Sequence, residues 1–452
     1  MGFLNNSIAF FGIIFGLVTV VSNPRQSLFR PSTYFIIFAI LDVLLPSIIW
    51  TLTGEQYIPS WLEELSNDEI FYALLFYLGY YFIFISFLRL LERSIPTNAV
   101  ITPKKNLEKN LIFLGIFFMS ASLTKIGYEF FIHGGIHGWL SLKALGSSVR
   151  QSGEIGDQTG YLYLIPYSSI FQSIAALGFF FRKKLKNRFI FTYFFPITAI
   201  LLSGTFLLRG SVINCLMCLI IAEYARAALG PYKFEVKNNF KRIFGKNILL
   251  IGLAFALSMY IYGSYRDSIR ANLSGEIQAE SDGSYVFALP TFVTAGHGLI
   301  GVGNIIKVFG KSADFLEGKT YLDMLLLPIP RVIYVSKPAW YGIDDISKAM
   351  DWPSSTQSAV TMPGESYANF GVLGVFIAIG FAMVYGMLYR SYSKNLAKAV
   401  FLGPTIFFIS TTVVNWMSFT GLMNIIPLFI FLMLIYRFAI EKNLKVDTAG
   451  KR

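Results

Sequence analysis

The sequence is poor in charge, in cysteine and in histidine. Asp, Glu, Lys and Arg make up only 14% of its 452 residues, whereas a soluble domain carries about 25%. This shortage excludes an ordinary soluble globular protein, and we expect no nucleic-acid partner despite the net charge of +12. The two cysteines, Cys215 and Cys218, lie in one apolar segment and cannot form a disulfide framework. With only three histidines, we expect neither a metal site nor a cofactor.

Long apolar runs, in contrast, are abundant. Hydrophobic residues make up 54% of the chain, and the mean hydropathy is +0.57. A run of about 18–22 apolar residues can cross roughly 30 Å of hydrocarbon as a helix. We therefore predict an all-α polytopic integral membrane protein with about eleven transmembrane helices, the first of which is a retained span and not a signal peptide. The predicted spans are Phe3–Val21, Thr33–Leu52, Ile70–Leu90, Leu111–Phe131, Tyr161–Phe181, Phe189–Phe206, Ser211–Leu229, Ile248–Tyr265, Ala368–Tyr389, Ala399–Trp416 and Leu422–Ile440.

The loops between the spans alternate in charge. Basic residues crowd one set of loops, for example Arg182–Arg188 and Lys233–Lys246, whereas Glu55–Glu69 is acidic. By the positive-inside rule the basic set is cytoplasmic, which predicts an amino terminus on the outer side and a cytoplasmic carboxyl terminus. The chain then divides into three parts. These are 1–265 with eight spans and an outer loop at 132–160, a large outer loop at 266–367 with short amphipathic helices, and 368–452 with three spans and a basic tail.

Two basic residues stand where the eighth span leaves the membrane. Arg266 and Arg270 are four residues apart, so one further helical turn would place both guanidinium groups on one face. Such a pair could clamp a lipid pyrophosphate, because guanidinium groups bind phosphate oxygens bidentately. Anchoring at the membrane interface, or translocation of a long loop regardless of its charge, is the alternative explanation.

The same outer loop contains PRVIYVSKPAWYG. Arg331 and Lys337 lie among its prolines, which stiffen the backbone, and Trp340 and Tyr341 offer stacking faces for sugar rings. We interpret these four residues as candidates for binding an anionic glycolipid. The alternative is a re-entrant or surface-lying segment with incidental charges.

Two more arginines lie on the predicted outer side. Arg150 has Gly, Ser and Gln neighbours of the kind that bind sugars through hydrogen bonds, although a solvated loop explains it equally well. Arg209 lies in a short outer turn between two spans, and an arginine so close to hydrocarbon usually pairs with something. Both are candidates for substrate binding.

Acid–base chemistry on the outer side has two candidates. His297 titrates near neutrality and could accept a hydroxyl proton, and the flanking Gly296 and Gly298 would permit close approach. Glu365 stands just before the ninth span, where it could act as a base, orient a sugar hydroxyl, or merely favour the positive helix start. An ordinary structural role is the alternative for both residues.

The large outer loop closes with GESYANFGVLG before a span and carries PRVIYVSKP upstream. Together with the order of the spans and the large penultimate outer loop, these segments resemble the Wzy group of O-antigen polymerases, which join oligosaccharide repeat units. Arg331 and Gly342 also have the R-x10-G spacing of such polymerases, whereas Arg150 and Gly160 are one residue short of it.

The resemblance implies a GT-C-like fold and a metal-independent glycosyltransferase in the bacterial inner membrane, active in lipopolysaccharide or related polysaccharide biosynthesis. Its substrate would be an oligosaccharide on undecaprenyl pyrophosphate. Its partners would be the lipid bilayer and a chain-length regulator protein. Arg266, Arg270 and Arg331, supported by Lys337, would stabilise the negative charge of the leaving pyrophosphate.

The acceptor proton needs a base, for which His297 is the first candidate and Glu365 the second. Two other functions compete with polymerisation. A lipid-linked oligosaccharide flippase would place charges and broken helices at the midplane, often in related halves, and the sequence contains no internal repeat. An O-antigen ligase would use the same fold and the same arginines but a different acceptor.

Overall fold

The computed structural model describes residues 1–21, 29–54, 56, 63–92, 100–132, 134–135, 167–204, 209–228, 297–325, 343–351, 360–403, 405 and 428–447. Helices account for 84% of these residues, as expected of an all-α membrane protein. Five helical segments among them are long and apolar enough to cross a bilayer: Gly2–Val21, Pro31–Thr53, Asn67–Leu91, Lys105–Ile132 and Met362–Tyr392.

The helices are labelled in chain order. They are α1 (Gly2–Val21), α2 (Pro31–Ala39), α3 (Leu45–Thr53), α4 (Asn67–Leu91), α5 (Lys105–Ile132), α6 (Tyr167–Phe181), α7 (Phe195–Gly204), α8 (Arg209–Ala228), α9 (His297–Val308), α10 (Lys319–Leu325), α11 (Ile343–Ala349), α12 (Met362–Phe370), α13 (Ile377–Tyr392) and α14 (Leu396–Phe401). A further helix covers 428–435. Single π or 3-10 turns cover Ile40–Leu44, Ile190–Phe194, Gly371–Phe376, Tyr436–Ile440 and Glu441–Asn443. An antiparallel pair, β1 (Val100–Pro103) with β2 (Leu444–Asp447), is the one sheet within the described ranges.

Five predicted spans coincide with the long helical segments, which are α1, the α2–α3 segment, α4, α5 and Met362–Tyr392. Three further predicted spans are occupied by α6, by α7 with its π turn, and by α8. The predicted span Ile248–Tyr265 and parts of the last two spans lie outside the described residues. The total of eleven spans and the GT-C-like fold therefore stay predictions.

The chain divides into two compact units. The described residues of unit 1 lie within Met1–Arg93 and Phe287–Ser391, and those of unit 2 lie within Ser94–Val286, Tyr392–Phe407 and Pro427–Arg452. The helices α1–α4 and α9–α12 and nearly all of α13 belong to unit 1, whereas α5–α8 and α14 belong to unit 2.

Polar contacts in unit 1 join the ends of its first three long segments. Arg89 near the end of α4 donates from Nη2 to the carbonyl oxygen of Thr19 near the end of α1, at 2.9 Å. Glu92, just beyond α4, accepts hydrogen bonds from the backbone N–H and the hydroxyl of Ser32 at the start of α2, at 2.9 and 2.7 Å. The segments α1 and α4 therefore run parallel to each other, and α2–α3 runs antiparallel to both. A chain that crosses a membrane three times in succession produces this arrangement.

The core of unit 1 is unusually rich in tyrosine. Tyr77, Tyr80 and Tyr81 on α4 are each fully buried, and Tyr385 on α13 is 2% exposed. The hydroxyl oxygens of Tyr77 and Tyr81 make no hydrogen bond with any described residue. Burying a polar atom without a partner costs free energy.

Unit 2 packs its helices through glycines. A methyl group on Gly178 of α6 would lie 2.3 Å from a ring carbon of Phe191, and one on Gly115 of α5 would lie 2.4 Å from the ring of Phe195. Aromatic side chains thus rest directly on helix backbones at both places. Such close approach requires glycine.

Candidate functional site

The ten residues that the sequence analysis singled out fall into three groups. Seven of them lie outside the described residues, and these are Arg150, Arg266, Arg270, Arg331, Lys337, Trp340 and Tyr341. Arg209 and His297 are the first residues of α8 and α9, where the structure describes the backbone but not the side chain. Glu365 is described in full. The structure places His297 and Glu365, the two candidate bases, in the same unit.

Glu365 lies inside a helix, and the expectation that it precedes the helix is wrong. The helix α12 begins at Met362, after Thr361 as its N-cap residue, whose Oγ1 accepts a hydrogen bond from Gly364 N at 3.2 Å. Glu365 occupies the first turn and is 1% exposed. The sequence did not predict this separate helix because GESYANFG is less apolar than the residues that follow it. A carboxylate in this turn is favoured by the helix dipole.

The helix α12 does not continue straight into α13. Gly371 has φ +58° after the last residue of α12, and a methyl group on Gly374 would lie 2.2 Å from the carbonyl oxygen of Ser366. Tyr385, far along α13, donates from Oη to Met362 Sδ at 3.9 Å. The helix α12 therefore folds back beside α13, and its first turn lies within the bundle.

Polar side chains surround this first turn. Tyr321 Oη lies 3.1 Å from Ser366 Oγ, and Asn369 Nδ2 donates to Thr320 Oγ1 and to the carbonyl oxygen of Glu365, both at 2.8 Å. Burial, reinforced by the negative charge of Glu365, raises the pKa of the Tyr321 hydroxyl well above its ordinary value. The tyrosine thus stays protonated and can donate.

A second carboxylate lies in the middle of the α2–α3 segment. Asp42 is fully buried within the π turn, and its Oδ2 accepts a hydrogen bond from Gly298 N at 3.0 Å. Gly298 follows His297 at the start of α9, so Asp42 lies against the backbone of a candidate base. A π turn inside an α-helix frequently marks a functional position.

The helix α9 connects the two carboxylates. Its start contacts Asp42, and its middle packs on α12, because a methyl group on Gly364 would lie 2.8 Å from Ile305 Cδ1. Electrostatic interactions link Tyr77 to Asp42, and Tyr80 and Tyr321 to Glu365. We refer to Asp42, Tyr77, Tyr80, Tyr321, Glu365 and Ser366 as the acid–tyrosine cluster. Buried acids beside tyrosine hydroxyls can hold, donate and accept protons, which is the chemistry of a general acid–base site.

The sequence analysis missed Asp42 and the tyrosines. A signal for Asp42 was present, because it is the one acidic residue of the predicted span Thr33–Leu52, and acids within spans are functional candidates by default. The tyrosines gave no such signal, since they read as ordinary aromatic residues of an apolar run. Among the described residues, no three His, Cys, Asp or Glu side chains come together in a way that could hold a metal ion.

The chain was compared with known proteins at three levels. No family model, no curated protein and no solved structure matches it.

Proposed function

We propose that the chain is a membrane glycosyltransferase that polymerises undecaprenyl-pyrophosphate-linked oligosaccharide repeat units into O-antigen or a related surface polysaccharide. The proposal places the reaction on the outer side of a bacterial inner membrane, with His297 reached from that side about halfway along the α2–α3 segment. The observation that carries it is the packing of α12 on α9, with Gly364 against Ile305. The helix with the GESYANFG segment thus contacts the helix that begins at His297, so the two residues predicted as bases lie on helices that pack together in one unit.

The reaction needs a leaving group, an acceptor and a base. An acceptor hydroxyl oxygen attacks the anomeric carbon of the growing glycan, the bond from that carbon to the pyrophosphate oxygen breaks, and the hydroxyl proton passes to the enzyme. In this proposal His297 takes the proton, and Glu365 is the second candidate for that role. Holding two lipid-linked sugars side by side removes much of the entropic barrier.

The pyrophosphate leaves with its electron pair and its negative charge. Arg266, Arg270 and Arg331, supported by Lys337, would stabilise that charge, since cationic donors aimed at developing charge lower the barrier most effectively in a water-poor site. Trp340 and Tyr341 would stack on sugar rings. Arg150 and Arg209 are further candidates for holding the substrate.

Reconstitution tests the proposal directly. The purified protein is mixed with one undecaprenyl-pyrophosphate repeat unit and a chelator, and the products are separated by size. We expect a ladder of multiples of the repeat unit. Transfer that occurs only after a lipid-core acceptor is added would instead identify a ligase.

A flippase is the second candidate, and a specific observation favours it. Asp42 and Glu365 are buried acids within the bundle, and α9 and α12 both begin there. Transporters commonly build midplane sites from discontinuous helices of this kind. Movement of a labelled lipid-linked oligosaccharide across vesicles, without any longer product, would support this function and reject the polymerase.

A further inference from the structure

The helix α9 begins in the middle of unit 1. Asp42 lies midway between Pro31 and Thr53, the ends of the α2–α3 segment, so a rise of 1.5 Å per residue places it about 16 Å from either end. Because Gly298 N contacts Asp42 Oδ2, the first turn of α9 lies at that depth.

The other end of α9 lies at the start of α4. Lys307 Nζ forms ion pairs with Glu63 Oε2 at 2.7 Å and with Glu69 Oε1 at 3.7 Å, and Asn304 Nδ2 donates to the carbonyl oxygen of Glu63 at 3.2 Å. The helix therefore runs from the interior of the bundle to one of its ends. It is a half-helix, and its residues belong to the predicted loop between the eighth and ninth spans.

A helix that starts in an apolar interior has an energetic problem. Its first N–H groups have no partner within the helix, and the surroundings contain little water to solvate them. Asp42 reduces the cost of these N–H groups, because a carboxylate accepts a charge-assisted hydrogen bond and is stabilised by the positive end of the helix dipole. The contact permits no side chain on residue 298, since a methyl group there would lie 2.6 Å from Asp42 Oδ2 and 3.1 Å from Val43 Cγ2.

We propose that Asp42 is a positioning residue that holds the first turn of α9, and with it His297, inside unit 1. We call the hydrogen bond from Gly298 N to Asp42 Oδ2 the Asp42 latch. The Gly298 nitrogen is bonded to the carbonyl carbon of His297, so the Cα of His297 lies within about 6 Å of the Asp42 carboxylate. An effect of the latch on catalysis rests on the proposed function, whereas the hydrogen bond itself is independent of it.

The latch is tested first by thermal melting in one detergent or nanodisc. Asp42→Ala removes the acceptor, and Gly298→Ala drives a methyl group against the carboxylate, so each substitution should lower the Tm. In the double variant the shortened side chain removes the closer clash, and only the approach to Val43 Cγ2 at 3.1 Å remains. We therefore expect the double variant to lose less Tm than the two single losses added together, because contacting sites are not additive.

A matched control is Gly380→Ala in α13. This helical glycine belongs to the same unit, and a methyl group there meets nothing within 4 Å. Its Tm should therefore change little, and in combination with Asp42→Ala its effect should simply add. Strict additivity between positions 42 and 298 would overturn the latch.

The positioning role is tested by chain extension, measured per folded protein. Asp42→Asn keeps an acceptor oxygen in nearly the same place and should retain most of the activity. Asp42→Ala should lower kcat by about 10²-fold, since small misplacements of a reacting group have effects of this size. KM should stay close to that of the wild type, because the latch binds no substrate.

The outcomes separate the two proposals. Non-additive melting with normal kcat in Asp42→Ala would overturn the positioning role and leave a purely structural contact. Non-additive melting with no chain extension by the wild-type protein would reject the proposed function and leave the latch in place. Rescue by Asp42→Asn together with non-additive melting supports both.

Discussion

The two units differ in how they bury polar groups. In unit 2, Gln172 donates from Nε2 to Ser203 Oγ at 2.6 Å and accepts at Oε1 from Asn214 Nδ2 at 3.0 Å, so neutral groups satisfy one another. The buried Glu223 pairs with Arg182 at 2.7 Å and with Arg226. In unit 2 a buried charge thus meets opposite charge from side chains.

Two buried carboxylates of unit 1 lie at helix starts. Asp42 receives the N–H of Gly298, and Glu365 lies in the first turn of α12. Helix dipoles favour negative charge at both places, and electrostatic interactions link the two acids to buried tyrosines. Glu223 of unit 2 is therefore balanced by arginine side chains, whereas Asp42 and Glu365 of unit 1 are placed at helix starts among tyrosines, the arrangement that the proposed acid–base chemistry requires.

The largest difference between the two units is expected when one buried acid in each is neutralised. We expect Glu365→Gln to lower chain extension by about 10²–10⁴-fold, the usual contribution of an acid–base group, while the Tm changes little because the shape is kept. Glu223→Gln should do the reverse: it should lower the Tm, since two arginines lose their counter-charge, and leave the activity of the folded fraction intact.

Both variants are measured by repeat-unit ladders and by melting of the purified protein. Normal ladders from Glu365→Gln would remove Glu365 from the proposed site. The acid–tyrosine cluster would then be a structural network like that of unit 2.

The second prediction concerns the leaving group. Arg331→Ala should lower chain extension by about 10²–10³-fold, the effect of removing one donor to a developing negative charge, while the protein level stays normal. Arg188→Ala, in the basic run predicted to be cytoplasmic, is the control and should change nothing. Polymer of normal length from Arg331→Ala would exclude this arginine from the site.

The third prediction tests the packing of unit 2. Gly178→Ala would place a methyl group 2.3 Å from Phe191, so it should destabilise the protein by about 1–3 kcal/mol, as overpacking does. Gly127→Ala in α5 meets nothing within 4 Å and should be neutral or stabilising by up to about 1 kcal/mol. Equal melting of the two variants would contradict the close approach of α6 to the Phe191 ring.

The smallest effect is expected at the Lys307 end of α9, which lies at the start of α4. Lys307 and its partner Glu63 have side chains that are 35% and 72% exposed, so solvent screens their ion pair. Lys307→Ala should reduce the free energy of unfolding by no more than about 1 kcal/mol, to be measured by denaturant melting. If Lys307→Ala lost more free energy of unfolding than Asp42→Ala, α9 would be held mainly by its Lys307 end and not by the Asp42 latch.

Hydropathy predicted the parts of the fold that depend on composition alone. The helices α1, α4 and α5 and the α2–α3 segment follow directly from apolar runs of membrane length. Glu365 was also predicted as a site residue, from one carboxylate at the edge of an apolar run. Its burial was not, because the reversal at Gly371 depends on one backbone conformation that a hydropathy average does not register.

The contacts that assemble the candidate site could not be predicted from hydropathy. Asp42 and Gly298 are 256 positions apart, and nothing in either local pattern indicates that they meet. Ser366 and Tyr321 lie on two short helices, of which α10 has no apolar stripe long enough to predict its packing. Contacts of this kind depend on the packing of whole segments.

By itself, the sequence determined that this chain belongs in a membrane, because apolar side chains in runs of bilayer length have no better environment than hydrocarbon. It also determined which residues are rare enough in such a chain to be worth testing. Only the tertiary structure decided which of them meet. A buried carboxylate needs a donor, and a helix that starts in the interior needs an acceptor, so Asp42 and Gly298 satisfy each other only once the bundle has formed.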